Sequence, residues 1–288
     1  MADVIEIPDA VNGYVDLVNT VYSLGEEVSP RGKKTLEIED ATIVIKDIYN
    51  TLPIGVGRGI VNGIGAVEAC QLLAGVSEPE LVVKVGPQFA NYREDNGIFH
   101  GAYGLRTKGQ YHEIINRLKA DPDTRQAIVT IWNPEYDLLP NKRDYPCTIL
   151  HQFRIRNNKL NMSVYMRSND VWLGAAYDFF QFTRVQIAIA SVLGIEPGTY
   201  AHHVGSLHLY EEHWASVEKL HHIKKKDYTH TAPIIGQSWL DVQLSAMHCL
   251  IAADTSSPLG EHRNSEHSSP GERWNIDAMQ TAIEKNNK

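Results

Sequence analysis

One cysteine and the residues that follow it carry the strongest chemical signal in this chain. Cys147 stands in Asp144-Tyr145-Pro146-Cys147-Thr148. About twenty residues on, the chain reads Met166-Arg167-Ser168-Asn169-Asp170-Val171-Trp172-Leu173-Gly174-Ala175-Ala176-Tyr177-Asp178, and later Val204-Gly205-Ser206-Leu207-His208-Leu209-Tyr210. A thiolate is suited to conjugate attack on an electron-poor ring carbon such as pyrimidine C6. Arg167 is available to favour the thiolate, because nearby positive charge lowers a thiol pKa. A carboxyl at Asp178 can read a base edge, and His208 with Tyr210 can hydrogen-bond a sugar. The set suits covalent chemistry on the ring of a nucleotide. The bland alternatives are a buried structural thiol at 147, a paired core carboxylate at Glu68, and packing roles for His208 and Tyr210.

These groups need elements to hold them. Ile5 to Leu24 reads as a helix and β-branched Thr35 to Ile48 as strands. Ile60 to Leu73 reads as a buried helix, with Glu68 in an otherwise apolar segment. Tyr111 to Lys119 is an amphipathic helix closed by Asp121-Pro122-Asp123, and Ala127 to Trp132 a buried strand. Ile149 to Arg156 and Leu160 to Arg167 form a hairpin across Asn157-Asn158. Tyr177 to Leu193 is a long helix stopped by Gly194. Val204 to Tyr210 is mixed and reads as the start of another helix. His202, His203, His221 and His222 are assigned to the surface, and Lys224-Lys225-Lys226 to a solvated face. From Ala253 to Arg273 the composition turns to Ser, Pro, Gly, His and Glu, which predicts a mobile surface segment, and Trp274 to Lys288 a last short helix. The expectation is one α/β domain over residues 1–252 with a polar extension over 253–288.

The bulk properties narrow the function. A chain of 288 residues can bury a full-size core. A net charge of −8 argues against broad nucleic-acid binding, which shows a basic field. A small anionic ligand needs only a few local arginines. No run approaches a membrane span of roughly 18 apolar residues. Three cysteines, Cys70, Cys147 and Cys249, fit a reducing cytoplasm, and no Cys/His spacing suggests a metal.

The chain resembles the thymidylate synthase family from about Arg31 to Tyr228. The matching stretches are Asp121-Pro122-Asp123-Thr124-Arg125, Pro146-Cys147, Gln152-Phe153, Arg167 to Gly174, and His208-Leu209-Tyr210. The resemblance implies an α/β (α+β) fold, a mixed sheet packed with helices, and a homodimer formed back to back through that sheet. It implies that Cys147 is the nucleophile and that Arg167, Ser168 and the Arg31 loop grip the phosphate. Arg125 falls where the family reaches into the partner subunit's phosphate site. His208 and Tyr210 fall on sugar ligands, and Gln152 is grouped with the substrate-binding residues. Glu68 falls on the glutamate that organises water and proton transfer. Asp170 falls on a folate-contacting aspartate, and Phe89, Tyr92, Tyr103 and Gly174 are assigned to the same side. The implied co-substrate is 5,10-methylenetetrahydrofolate, with no metal.

One departure bears on the substrate. Thymidylate synthases carry Asn where this chain has Asp178. An amide donates to uracil O4 and accepts from N3–H, whereas cytosine presents the reverse edge, which a carboxyl group matches. Mispairing a buried polar group costs about 1–3 kcal/mol, enough to separate two bases. The stretches Met166 to Val171, Val204 to His208 and Lys225-Lys226-Asp227-Tyr228 resemble the hydroxymethylase branch of the family, which acts on deoxycytidylate. The expected activity is therefore transfer of a hydroxymethyl group to C5 of dCMP. A CMP substrate, a methyl product, thymidylate synthesis on dUMP, and a silent nucleotide-binding protein remain as alternatives. The polar end Glu284-Lys285-Asn286-Asn287-Lys288 differs from the apolar tail that seals the synthases.

Overall fold

A computed structural model describes residues 4–222 and 238–255. The strands are β1 (Val4–Ile7), β2 (Glu26–Val28), β3 (Thr35–Ile45), β4 (Ile128–Thr130), β5 (Thr148–Arg156), β6 (Lys159–Met166), β7 (Asn169–Asp170) and β8 (Glu196–Tyr210). The helices are α1 (Ala10–Leu24), α2 (Asn62–Ala74), α3 (Pro79–Val85), α4 (Tyr103–Thr107), α5 (Gln110–Ala120), α6 (Pro134–Asp137), α7 (Ala175–Leu193), α8 (Trp214–Val217) and α9 (Trp239–Thr255).

The strands form one mixed sheet in the order β1-β3-β8-β6-β5-β4, with β2 on β3 and β7 on β8. The β5–β6 hairpin turns through Asn157 and Asn158 at φ 53° and 57°. Two consecutive positive-φ residues match the right-handed twist of the flanking strands, and Asn tolerates that conformation. Helix α7 ends as the sequence predicts, at Gly194 in the left-handed conformation.

Three expectations change. Residues 5–24 are not one helix: β1 comes first, and Asp9 caps α1 by accepting the Asn12 backbone N–H at 2.8 Å. Residues 204–210 do not start a helix. They end strand β8, which pairs antiparallel with β3 from Tyr200↔Ile45 to Tyr210↔Thr35. Period-two burial at Tyr200, His202 and Val204, and again at Leu207 and Leu209, identifies the strand, and the polar His202 in that series disguises it. His202 is fully buried rather than on the surface, because its ring nitrogens find partners inside. Helix α9 ends the described residues at Thr255. The lysine run at 224–226, the 225–228 stretch, the rest of the extension and the helix expected at 274–288 lie outside the described residues.

Helices α1 and α7 cover one face of the sheet, and the core forms between them and the inner positions of β3, β6 and β8. On the other face Thr42 bonds His203 at 3.0 Å, His203 stacks on Tyr165 with ring centres 4.6 Å apart, and Arg154 bonds Ser163 at 2.7 Å. Tyr165 and Ile128 remain exposed there. Among the described residues no helix is long and apolar enough to cross a membrane.

Candidate active site

Cys147 immediately precedes β5, and Arg167 immediately follows β6, the partner strand of the hairpin. The register brings them together: the Arg167 backbone N–H donates to the Cys147 carbonyl at 2.9 Å. The Arg167 guanidinium reaches Cys147 Sγ at 3.6 Å and the Ser168 hydroxyl reaches it at 3.7 Å. Arg167 is held in place by the carbonyls of Pro146 at 3.1 Å and Tyr145 at 3.2 Å, and it lies over the Trp132 ring. Burial pushes the thiol pKa up, and Arg167 and Ser168 pull it back only in part. Bound anion and thiolate thus compete for the same guanidinium.

Arg167 and Ser168 open into a cleft of about 680 Å³. Arg31, His208 and Tyr210 line it as well, together with Trp132, Tyr145 and Ser206. Arg31 sits in a tight turn at φ 55°, followed by Gly32 at φ 76°. The turn projects an exposed guanidinium on the cleft wall. His208 Nδ1 lies 3.1 Å from the Ser206 carbonyl and donates to it, which makes Nε2 the acceptor. The His208 and Tyr210 rings meet edge to face at 5.2 Å.

Two carboxyls are buried near the thiol, outside the lining of the cleft, and the Asp178 charge acts on both Cys147 and Glu68. Asp178, in the first turn of α7, is buried at 7% exposure. Its Oδ2 accepts from Asn169 Nδ2 at 2.7 Å and its Oδ1 from Gln181 Nε2 at 3.0 Å. Burial raises its pKa from 3.8 to about 7, and the two amides hold it from rising further. Glu68, on α2, has a buried Oε2 with no partner. Burial, with the Asp178 charge nearby, raises its pKa to about 8. At neutral pH Glu68 carries a proton, while Asp178 divides between its two forms.

The two oxygens of Asp170 differ in their contacts. Its Oδ1 accepts the backbone N–H groups of Trp172 and Leu173 at 2.8 and 2.9 Å, and its Oδ2 is buried with no partner. A buried acceptor held ready in this way fits an N–H donor such as a pterin edge. Tyr92 is half exposed, and its phenol pKa is raised by burial and by the charges of Tyr210, Asp170 and Cys147, so it stands over the same region. Phe89 packs beside it with ring centres 6.5 Å apart.

Three sequence assignments land elsewhere. Tyr103 stacks on Phe182 and feels both Asp178 and Cys147, which puts it close to those two groups. Gly174 is the N-cap of α7, and a Cβ there would come within 3.2 Å of Asn169 Nδ2 and 3.4 Å of Asp178 Oδ2. Its missing side chain makes room for that pair. Gln152 does not line the cleft; its amide reaches the Arg125 carbonyl at 3.4 Å beside the β4–β5 edge. Arg125 is exposed at that edge and does not line this chain's own cleft. Asn169, Gln181, Tyr200 and His202 carry no site role in the sequence reading. Asn169 could have been singled out as the one uncharged amide inside the Arg167–Gly174 motif, but its partners are far away in sequence.

The mixed sheet thus carries a thiol beside an arginine, with two buried carboxyls close by. The chain belongs to the thymidylate synthase family, whose sequence pattern, described as thymidylate synthase, matches residues 12–237. Members of that family are one-carbon transferases that act on pyrimidine nucleotides with methylenetetrahydrofolate. Among characterised relatives, the chain is similar to a deoxyuridylate hydroxymethyltransferase of Bacillus phage SP01, at 31% identity over 244 residues and 77% of this chain. The chain spans 63% of that relative's length.

Proposed function

We propose that this protein transfers a hydroxymethyl group to C5 of dCMP, with methylenetetrahydrofolate as co-substrate, and works as a homodimer. The observation that carries the base assignment is Asp178, both of whose oxygens accept from side-chain amides. Those two donors favour the ionised form, against the burial that raises the pKa to about 7. Ionised, the group accepts from N4–H₂ of cytosine and from N3–H when the ring is protonated there. Against uracil it accepts N3–H but leaves O4 facing a second carboxylate oxygen. The phage relative's name supports the hydroxymethyl product and favours a second reading, with dUMP as substrate. A protonated Asp178 can donate to O4, so that reading requires the neutral carboxyl.

The chemistry follows from the chain's own groups. Arg167, Ser168 and Arg31 hold the phosphate, since guanidinium forks match its oxygens. His208 and Tyr210 bond the sugar. Cys147 Sγ then adds to C6, and negative charge moves toward N3 and C5. Asp178 keeps a proton at N3 and so stabilises the adduct as the charge develops. Asp170 Oδ2 and the Phe89–Tyr92 surface would hold the folate, which when bound would supply the one-carbon unit that replaces the C5 proton and would depart as tetrahydrofolate before water adds. Glu68, carrying a proton beside the base, orients the water that completes the hydroxymethyl group. Cys147 leaves from C6 as the ring recovers its double bond. Arg125 and the uncovered sheet face support a back-to-back dimer in which Arg125 reaches the partner subunit's phosphate.

The test is product mass after incubation with methylenetetrahydrofolate and a mixture of dCMP, CMP and dUMP. A gain of CH₂O on dCMP is expected. The same gain on dUMP alone would overturn the base assignment, and a gain of CH₂ on dUMP would make this a thymidylate synthase.

A further inference from the structure

Behind Asp178 runs a chain of buried side chains that the reaction itself does not use. Tyr200 O–H lies 2.7 Å from His202 Nδ1, and His202 Nε2 lies 3.2 Å from Asn169 Oδ1. Asn169 Nδ2 in turn lies 2.7 Å from Asp178 Oδ2. Tyr200 and His202 are fully buried, and Asn169 is 3% exposed. His202 is enclosed by Phe179, 5.1 Å away and edge-on, and by Phe182. Burial holds its ring neutral, with a pKa lowered from 6.5 to about 3.

The direction of these bonds is fixed by elimination. An ionised Asp178 only accepts, so Asn169 must present its NH₂ to it and its oxygen to His202. His202 must then carry its proton on Nε2, which leaves Nδ1 bare and obliges Tyr200 to donate. Reversing the direction would need a proton on Asp178 Oδ2 and a turned Asn169 amide. Buried polar groups in a dry aromatic setting cost free energy unless every member is paired, and this chain is paired end to end with its last donor on the base-reading oxygen.

We infer that Tyr200, His202 and Asn169 are positioning residues that hold Asp178 as an all-acceptor group and so set which pyrimidine edge the site takes. The inference rests on Asp178 being the base reader. Without the relay Asn169 can turn, Asp178 loses one of its two donors, and the neutral carboxyl gains. The other titratable groups that feel the Asp178 charge are Glu68 from α2, Cys147 ahead of β5, Tyr103 of α4 and Tyr200 of β8. Substitutions at His202 leave the Glu68, Cys147, Tyr103 and Tyr200 side chains in place.

The test uses the full chain as wild type, His202→Phe, His202→Gln and Tyr200→Phe. Calorimetric Kd values for dCMP and dUMP are measured on either side of pH 7, with Tm for each protein. His202→Phe keeps an aromatic ring but has no donor for Asn169. It should weaken dCMP relative to dUMP by about tenfold or more and move the pH midpoint of binding upward. Gln offers an acceptor to Tyr200 and a donor to Asn169, so His202→Gln should restore both. If His202→Phe does not fold, Tyr200→Phe, which removes only a hydroxyl, should move the midpoint in the same direction. A variant series that changes Tm but neither the base ratio nor the midpoint overturns the inference, as does a Gln variant no better than Phe. A wild type that prefers dUMP overturns the cytosine reading instead. The relay is then judged on the midpoint alone, with whichever nucleotide binds.

Discussion

Replacing Glu68 by Gln keeps the shape of the side chain and removes a buried acid. Its Oε2 has no partner, and burial together with Asp178 moves its pKa from 4.5 to about 8. The folded protein therefore binds this proton more tightly than the unfolded chain. The resulting stability is complete below pH 4.5 and is lost as pH rises through about 8. At about 1.36 kcal/mol per pH unit the full span is on the order of 5 kcal/mol. His151 and His202 act in the opposite sense. Both are buried neutral with pKa lowered from 6.5 to about 3, so their contribution is present above pH 6.5 and is lost below it. Between pH 6.5 and 8 the two histidines are silent; Asp178 and Cys249, both near 7, titrate there in both proteins, so the Glu68 share, a loss of about 2 kcal/mol as pH rises, is read from the difference between them. Urea unfolding of wild type and Glu68→Gln at several pH values in that window measures it. The wild type should lose stability across the window, and the difference between the two proteins should grow by about that amount. A Gln variant that keeps the whole wild-type slope would refute the reading of Glu68 as a proton-bearing buried acid.

Asp178→Asn should shift the dCMP-to-dUMP preference in kcat/KM by at least about tenfold toward dUMP, because the new amide donates to O4; an unchanged ratio would remove Asp178 as the base reader. Arg167→Ala should slow covalent labelling of Cys147 by a 5-fluorinated dCMP and move its pH profile to higher pH, since the one guanidinium near Sγ pulls the thiol pKa down. Mass spectrometry of the intact protein reads the adduct, and an unshifted profile would mean that Arg167 serves only the phosphate. Mixing inactive Arg125→Ala and Cys147→Ala subunits should restore activity, because some hybrid dimers regain one complete site. No recovery in demonstrated hybrids would exclude sharing through Arg125.

Much of the candidate site is legible in the sequence, because its residues are packed into short stretches. Cys147, Arg167 and Ser168 lie at the adjoining ends of one hairpin, so a correct turn at Asn157-Asn158 is enough to bring them together. The long apolar run of α7 and its stop at Gly194 were equally plain. What escaped was non-local. His202 looked like a surface residue because a histidine is polar; its burial depends on Asn169, 33 positions away on another strand. The same histidine broke the apolar alternation of β8 and concealed a strand of 15 residues. Strand β1 was lost for a different reason. Its four residues abut α1, and only the Asp9 cap marks the change. Gln152 sits in a family-like stretch, but strand alternation turns it toward the uncovered face, where it meets the Arg125 carbonyl rather than the cleft.

Strand β8 has a consequence of its own. It lies inside the sheet, paired with β3 along one edge and with β6 and β7 along the other. His202, behind Asp178, and His208, on the cleft wall, are six residues apart on this one strand, or roughly 20 Å at strand rise. In the proposed binding mode both ends of the nucleotide are gauged against this one strand, with no loop between them to absorb error. Base preference can change at residue 178 without touching the strand. An inserted or deleted residue between 202 and 208 would turn one end of the gauge to the opposite face of the sheet, and base and sugar recognition would fail together.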